Sequence, residues 1–258
     1  MTKRKIFTIV LACVLLMGIL SSCSFGMLTD YNYTINKITL KMMSANIKIE
    51  TSRSSQYQSD KLVGSGVVVA KSNGYYYVLT NYHVVEKGEY RTAEYSLTDY
   101  MGNQFTPTGV ALMSFDKDRD LALLRFASQN DYVVVNMLNK SQNVDSTVFA
   151  VGSPDGQINA VTVGTIISVD TAPEIDGRGA LKSSSGKPIK VYRHNAEIMS
   201  GSSGGMLLNE NLQLVAINYA GVTNLNDNSF VYALSIPSYE AVDFLSNTVV
   251  SNLISIVN

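Results

Sequence analysis

Tryptophan is absent from the 258 residues, proline occurs five times, and histidine and cysteine occur twice each. Each scarcity excludes something. Cys13 and Cys23 both fall at the start of the chain, so no disulfide framework and no Cys-based zinc site can form in the rest. His83 and His194 are too few imidazoles for a His-rich metal centre, and neither a metal nor another cofactor is expected. Charge is sparse as well, at 16% of residues. Twenty basic residues stand against 21 acidic ones, for a net −1, so no basic surplus points to a nucleic-acid partner. The 46% hydrophobic content is too high for a disordered chain. The length suffices for one large domain or two small ones with real cores.

The first residues read as a targeting segment outside the fold. Lys3-Arg4-Lys5 precedes an apolar run from Ile6 to Leu20, shorter than the roughly 20 residues a spanning helix needs. Leu20-Ser21-Ser22-Cys23 follows and resembles the lipobox of bacterial lipoproteins. The resemblance implies cleavage after residue 22 and attachment of diacylglycerol to Cys23, a membrane anchor on the outer face. The bland alternative is an ordinary signal peptide with a Cys at its cleavage point. Cleavage there removes three basic residues and no acidic one, leaving 236 residues, a net charge of −4 and no free thiol. Residues 23–43, mixing Ser, Thr, Asn and Tyr with weak apolar periodicity, read as a tether.

From Ala45 the pattern turns to short alternating or continuous apolar runs split by turn residues, which predicts strands. Such runs include Asn46–Glu50, Gly66–Ala70, Tyr75–Leu79, Leu121–Phe126, Tyr132–Met137, Thr147–Val151, Ala160–Val169, Ile189–Tyr192, Gly205–Leu208, Leu212–Tyr219 and Phe230–Leu234. Asn73-Gly74 between two of them signals a tight hairpin. Eleven to twelve strands are expected, then a helix over about 238–257 with Ala241, Val242, Leu245, Val249 and Leu253 on one face. The fold class is all-β with a C-terminal helix. So many short strands favour two barrels, about 44–140 and about 145–236, with the break near the polar stretch Asn139–Asp145.

Three places could carry chemistry. Gly201-Ser202-Ser203-Gly204-Gly205 sets a serine among glycines, where backbone N–H groups can converge and the two following glycines leave room for an approaching carbonyl. A serine hydroxyl needs a base, and His83 ends the apolar run Val78-Leu79-Thr80-Asn81-Tyr82. An imidazole in that role needs a buried carboxylate to orient it. Asp120 opens the buried run Leu121-Ala122-Leu123-Leu124, whereas Asp116 and Asp118 read as solvated.

The order His83, Asp120, Ser203 in these contexts resembles the chymotrypsin/trypsin-fold serine peptidases, and most closely their bacterial HtrA-like branch. Gly64-Ser65-Gly66-Val67, Gly152-Ser153-Pro154 and Ala233-Leu234-Ser235-Ile236-Pro237 add to the likeness, which runs from about Ala45 to Leu253. It implies a chymotrypsin/trypsin-like double β-barrel with the site in the cleft between barrels. Ser203 would attack a peptide carbonyl, His83 would move the proton, Asp120 would hold the imidazole, and the N–H groups of Gly201 and Ser203 would form the oxyanion hole. The resemblance also places Leu214–Tyr219 as the strand that pairs with substrate, so Ile217, Asn218 and Tyr219 are expected to bind it, with Asn218 supporting Asp120. Glu197 sits where the fold's primary specificity pocket is lined: it either selects a basic side chain or simply faces solvent.

Departures from the family pattern are Met206 for proline, Ser202 for asparagine, and a chain that ends at the helix where HtrA-like proteins carry a PDZ domain. Lys182–Lys190 reads as an exposed insertion near the site, His194 as a structural residue and Tyr75-Tyr76-Tyr77 as strand packing. The expectation is a membrane-anchored extracytoplasmic serine endopeptidase acting on proteins or peptides. The rivals are a non-catalytic or latent binding lipoprotein that retains the fold, and an esterase using the same site.

Overall fold

The computed structural model describes residues 31–154, 157, 159–175 and 179–258. The targeting segment and Cys23 lie outside them. The chain divides into two units, Met1–Leu40 and Lys41–Asn258. The described residues of the first, 31–40, are helical and belong to α1, whose last residue is 41. This corrects the tether reading for that stretch: its apolar periodicity, though weak, is helical. Among the described residues no helix is long and apolar enough to cross a membrane.

The second unit is built of two sheets, the first antiparallel and the second antiparallel except at one edge. The first contains β1 (Asn46–Ser54), β2 (Ser59–Ser72), β3 (Tyr75–Thr80), β4 (Thr92–Thr98), β5 (Gln104–Phe105), β6 (Val110–Asp116) and β7 (Leu121–Ala127), with the one-turn helix α2 (Tyr82–Val85) after β3. Its strands run in the order β5-β4-β1-β2-β3-β7-β6, a half-barrel. Its core gathers Ile47, Ile49, Val68, Tyr76, Val78, Leu97, Leu124 and Phe126. Tyr76, from the tyrosine run, is fully buried and edges against Tyr132 at 4.8 Å between ring centres, the packing role expected of it. The Asn73-Gly74 hairpin forms with both residues at positive φ.

The second sheet contains β8 (Asn136–Leu138), β9 (Thr147–Gly152), β10 (Ala160–Thr171), β11 (Lys190–His194), β12 (Met206–Leu208), β13 (Leu214–Thr223), β14 (Phe230–Pro237) and β15 (Ser255–Val257). The order β12-β9-β10-β11-β14-β13 closes on itself through a β12–β13 pairing, giving a six-stranded barrel. Together the two sheets are a chymotrypsin-like double β-barrel. β8 and β15 add to the outside of β13, and both of these pairings are parallel.

Two boundaries differ from the expected ones. β8 belongs to the second sheet, so the chain changes barrels between Ala127 and Asn136 rather than at 139–145. The apolar pairing of Met137 with Leu214 of β13 outweighs the polar stretch that follows. The C-terminal helix, α3, spans only Ser238–Ser246. Ala241, Val242 and Leu245 are buried as expected, but Val249 and Leu253 are exposed. Asn247 and Thr248 turn back on the carbonyls of Phe244 and Leu245, ending the helix and freeing the chain to form β15.

His194 is structural, as expected. It is fully buried on β11, and its Nε2 lies 2.9 Å from Ser235 Oγ. Ser235 in turn donates to Asn218 Oδ1 at 3.3 Å. Burial pushes the His194 pKa down to about 4, against an opposing backbone hydrogen bond at Ala196. The unfolded chain takes up this proton below about 6.5 and the folded protein only below about 4. Stability from this residue is therefore full above 6.5 and is lost as the pH falls towards 4. Urea unfolding should show about 2 kcal/mol lost between pH 7 and pH 5, and His194→Gln should remove most of that drop whatever its effect at pH 7.

Candidate active site

His83 is positioned by a single helical turn. Asn81 follows β3 and stands at the N-cap of the turn that Tyr82 opens, and Val84 and Val85 bury themselves against the first core, which turns His83 outward. The turn's last carbonyls, orphaned in so short a helix, are taken by side chains: Thr51 Oγ1 donates to Val84 O (2.7 Å) and Tyr95 OH to Val85 O (3.2 Å). The imidazole that results is half-buried.

Asp120 sits at the end of the turn between β6 and β7, in the left-handed region with φ +54°, a conformation an aspartate tolerates better than most residues. Its carboxylate is fully engaged by one residue: Oδ2 lies 2.6 Å from His83 Nδ1, and Oδ1 accepts the His83 backbone N–H at 2.7 Å. Asn81 Nδ2 donates to the Asp120 carbonyl at 3.0 Å. The expected bond from Asn218 is absent: that side chain faces into the second barrel, donating to Val151 O at 3.3 Å. Asp118 is exposed as expected, but Asp116 is not merely solvated. Asp116 binds Arg119 at 2.9 Å, and the carbonyl of Asp118 accepts the Lys182 N–H at 2.8 Å. Arg119, itself buried, also bonds Glu240 (3.3 Å) and Asp243 of α3, so the turn that bears Asp120 is fastened to the C-terminal helix.

Ser203 lies in the loop between β11 and β12. Ser202 N–H donates to Met199 O at 2.9 Å, and Gly201 at the third position of that turn has φ +91°, the signature of a type II turn. Within 201–205 the N–H groups of Ser202, Gly204 and Gly205 are all taken, by Met199 O, Asn218 O and Ser202 O. Those of Gly201 and Ser203 have no acceptor among the described residues, and both residues line the same cleft. Two donors aimed at one hollow suit an oxygen on which negative charge develops. Gly204 serves a purpose other than the expected one. With φ +84°, a Cβ there would collide with Ser65 O and Thr80 Oγ1, so it makes room for the protein's own groups rather than for a ligand's carbonyl.

The cleft measures about 600 Å³ and brings His83, Glu197, Gly201, Ser203 and Tyr219 together. Its wall continues along β13 to Ala220 and Gly221, two residues the sequence reading stopped short of. Ile217 is fully buried in the barrel, paired with Met206 and Ile236, and does not line the cleft; nor does Asn218. The register of β13 against β14 shifts between Asn218 and Ala220, and a bulge of this kind re-aims backbone groups. The carbonyl of Tyr219 accepts the Ser203 hydroxyl at 3.1 Å. Among the described residues no hydrogen bond joins that hydroxyl to His83, whose ring stands edge-on to Tyr219 at 6.1 Å. Glu197 is exposed, its carbonyl held by Thr162 Oγ1 at 2.7 Å. No group of three or more His, Cys, Asp or Glu side chains capable of holding a metal occurs among the described residues.

Residues 64–217 match the family model of the trypsin-like peptidase domain. Among similar proteins is the serine protease Do-like HtrA of Bacillus subtilis, 32% identical over 204 residues, covering 77% of this chain and 42% of that protein. The Do-like HtrA of Lactobacillus helveticus is 31% identical over 88% of this chain and 51% of its own length. The chloroplastic protease Do-like 5 of Arabidopsis thaliana is 32% identical, covering 62% and 48%. The chain spans about half the length of the relatives it matches.

Proposed function

The chain belongs to the trypsin-like peptidase family, and from that premise we propose that it is a serine endopeptidase in which Ser203 is the nucleophile, His83 the base and Asp120 the group that orients it. The observation that carries this reading is the His83–Asp120 pair, closed by two hydrogen bonds of 2.6 and 2.7 Å, facing one cleft with Ser203 and two uncommitted N–H groups. Asp120 on Nδ1 leaves Nε2 as the face that accepts a proton. The Ser203 hydroxyl passes its proton to Nε2 as Oγ attacks the peptide carbonyl. Asp120 stabilises the imidazolium, and the N–H groups of Gly201 and Ser203 hold the oxyanion. The imidazolium then protonates the departing amine, leaving an acyl-enzyme that water cleaves by the same steps in reverse roles. The 3.1 Å bond from Ser203 to Tyr219 O is a resting position of a freely rotating hydroxyl. Such bonds tighten onto the base when substrate binds.

That same bond favours one second reading, a latent protein whose hydroxyl stays on Tyr219 until a partner arrives. A fluorophosphonate probe on the detergent-solubilised full chain separates the two. Labelling at Ser203, lost in His83→Ala and at least 100-fold slower in Asp120→Asn, is expected of the peptidase. Absence of labelling in the folded parent would leave only the latent or binding reading.

Glu197 gives the substrate class. It lines the cleft beside Ser203, and no lysine or arginine lines it, so the P1 side chain preferred is basic. Its exposure weakens the pair, and a Lys or Arg at P1 is expected to exceed Leu by about tenfold in kcat/KM. Glu197→Gln should erase that ratio without lowering hydrolysis of the Leu peptide; an unchanged ratio would return Glu197 to the solvent.

The lipobox-like Leu20–Cys23 supports an extracytoplasmic enzyme anchored through Cys23 to the outer face of a bacterial membrane. Labelled palmitate should enter the parent protein and not Cys23→Ser, and the variant should leave the membrane fraction.

A further inference from the structure

Ser65 stands on β2 in the first sheet, fully buried, and three of its four hydrogen bonds reach the second barrel. Its Oγ donates to the Gly201 carbonyl at 2.7 Å and accepts the Ser153 N–H at 2.8 Å. Its own N–H donates to the Ser203 carbonyl at 2.7 Å. Its carbonyl accepts Thr80 Oγ1 at 2.6 Å. Every polar atom of this one serine is thus used, and two of the four bonds end on carbonyls of the nucleophile loop.

Which carbonyls they are matters. A peptide unit is planar, so fixing both its N–H and its C=O fixes its orientation. The unit joining Gly201 to Ser202 is held by Ser65 Oγ on its carbonyl and by Met199 O on its N–H. The unit joining Ser203 to Gly204 is held by the Ser65 N–H on its carbonyl and by Asn218 O on its N–H. Between these two clamped planes lies the unit that carries the Ser203 N–H, left with no freedom to turn. The first clamp also anchors Gly201, whose positive φ aims the other free N–H.

We propose that Ser65 is a positioning residue for the oxyanion hole, setting the two N–H donors by holding the peptide planes on either side of Ser203. The assignment rests on Ser203 being the nucleophile, but the clamp itself is testable without it. Ser65 acts through the loop and touches no substrate: it does not line the cleft. Its removal should therefore weaken stabilisation of the transition state and leave ground-state binding alone.

The test uses the full chain in detergent with Ser65→Ala, and Ser65→Cys as the conservative variant, whose thiol is a weaker donor of similar size. Ser65→Ala is expected to lower kcat on a peptide substrate and the rate of fluorophosphonate labelling together, by about 10- to 100-fold. Outright loss of one donor costs more, about 100- to 1,000-fold. KM should stay within about twofold, and Ser65→Cys should fall between. Amide hydrogen exchange, read by mass spectrometry, should accelerate in the peptides covering 199–205 and 153 and nowhere else. Parental kcat and labelling in Ser65→Ala would overturn the proposal. So would a loss of kcat with faster exchange across the whole barrel, which marks a merely structural serine. If the parent fails to label at Ser203, the peptidase reading falls. The exchange experiment then decides the clamp alone, and unchanged exchange over 199–205 would refute it.

Discussion

A short loop before β12 governs the architecture around the cleft, because almost every backbone group in it is committed. Gly201 to Gly205 must reverse the chain, enter a barrel strand and leave two N–H groups pointing at solvent. Three of the five donors are spent on Met199, Asn218 and Ser202, and the carbonyls of Gly201 and Ser203 are spent on Ser65. Buried amides left unpaired are costly, so the surrounding structure has to supply each partner. β2 supplies Ser65, the bulged β13 supplies Asn218 and Tyr219, and β9 ends in the Gly152-Ser153 segment that locks Ser65 in turn. The double barrel can be understood as the scaffold that brings these three segments to one place.

The other half of the cleft follows a different logic. His83 and Asp120 are held by packing and by local turns within the first sheet, where Val84, Val85 and the Asn81 side chain fix the imidazole and its carboxylate relative to each other. The contacts that orient the pair are local, although the turn before Asp120 is also tied to α3 through Arg119; the nucleophile loop is held almost wholly by long-range bonds. Joining them depends on the same β2 strand, which belongs to the first sheet by its ladder and to the loop by its hydrogen bonds.

Much of this was legible in the sequence, and the reasons are physical. Strand periodicity, the Asn73-Gly74 turn and the glycine-flanked serine are local signals, and most stand where their pattern puts them; the run Tyr132–Met137 is an exception, forming strand only from Asn136. In the sequence Ser65 stands out only as part of a motif, because its meaning lies in partners 88 and 136 residues away. A serine between two glycines has no local mark of that. The resemblance assigns Asn218 to Asp120, yet side chains alternate across a strand, and this one belongs to the barrel interior with Ser235 and His194. The final helix was overextended because Val249 and Leu253 continue the spacing of Ala241 and Leu245, whereas the chain turns at Asn247 and leaves both exposed. Helical spacing records which residues can share a face; it does not record where the helix ends.

The Arg119 clamp ties the carboxylate side of the cleft to α3, a helix of nine residues far along the chain. Local opening of a protein begins in its least protected elements and spreads only through the contacts they make. Here that contact is a guanidinium shared between the turn before β7 and the helix. Fraying of α3 would release Glu240 and Asp243 from Arg119 and loosen the turn that ends in Asp120, while both barrels remain folded. The competence of the cleft thus depends on the C-terminal helix staying docked as well as on the two barrels.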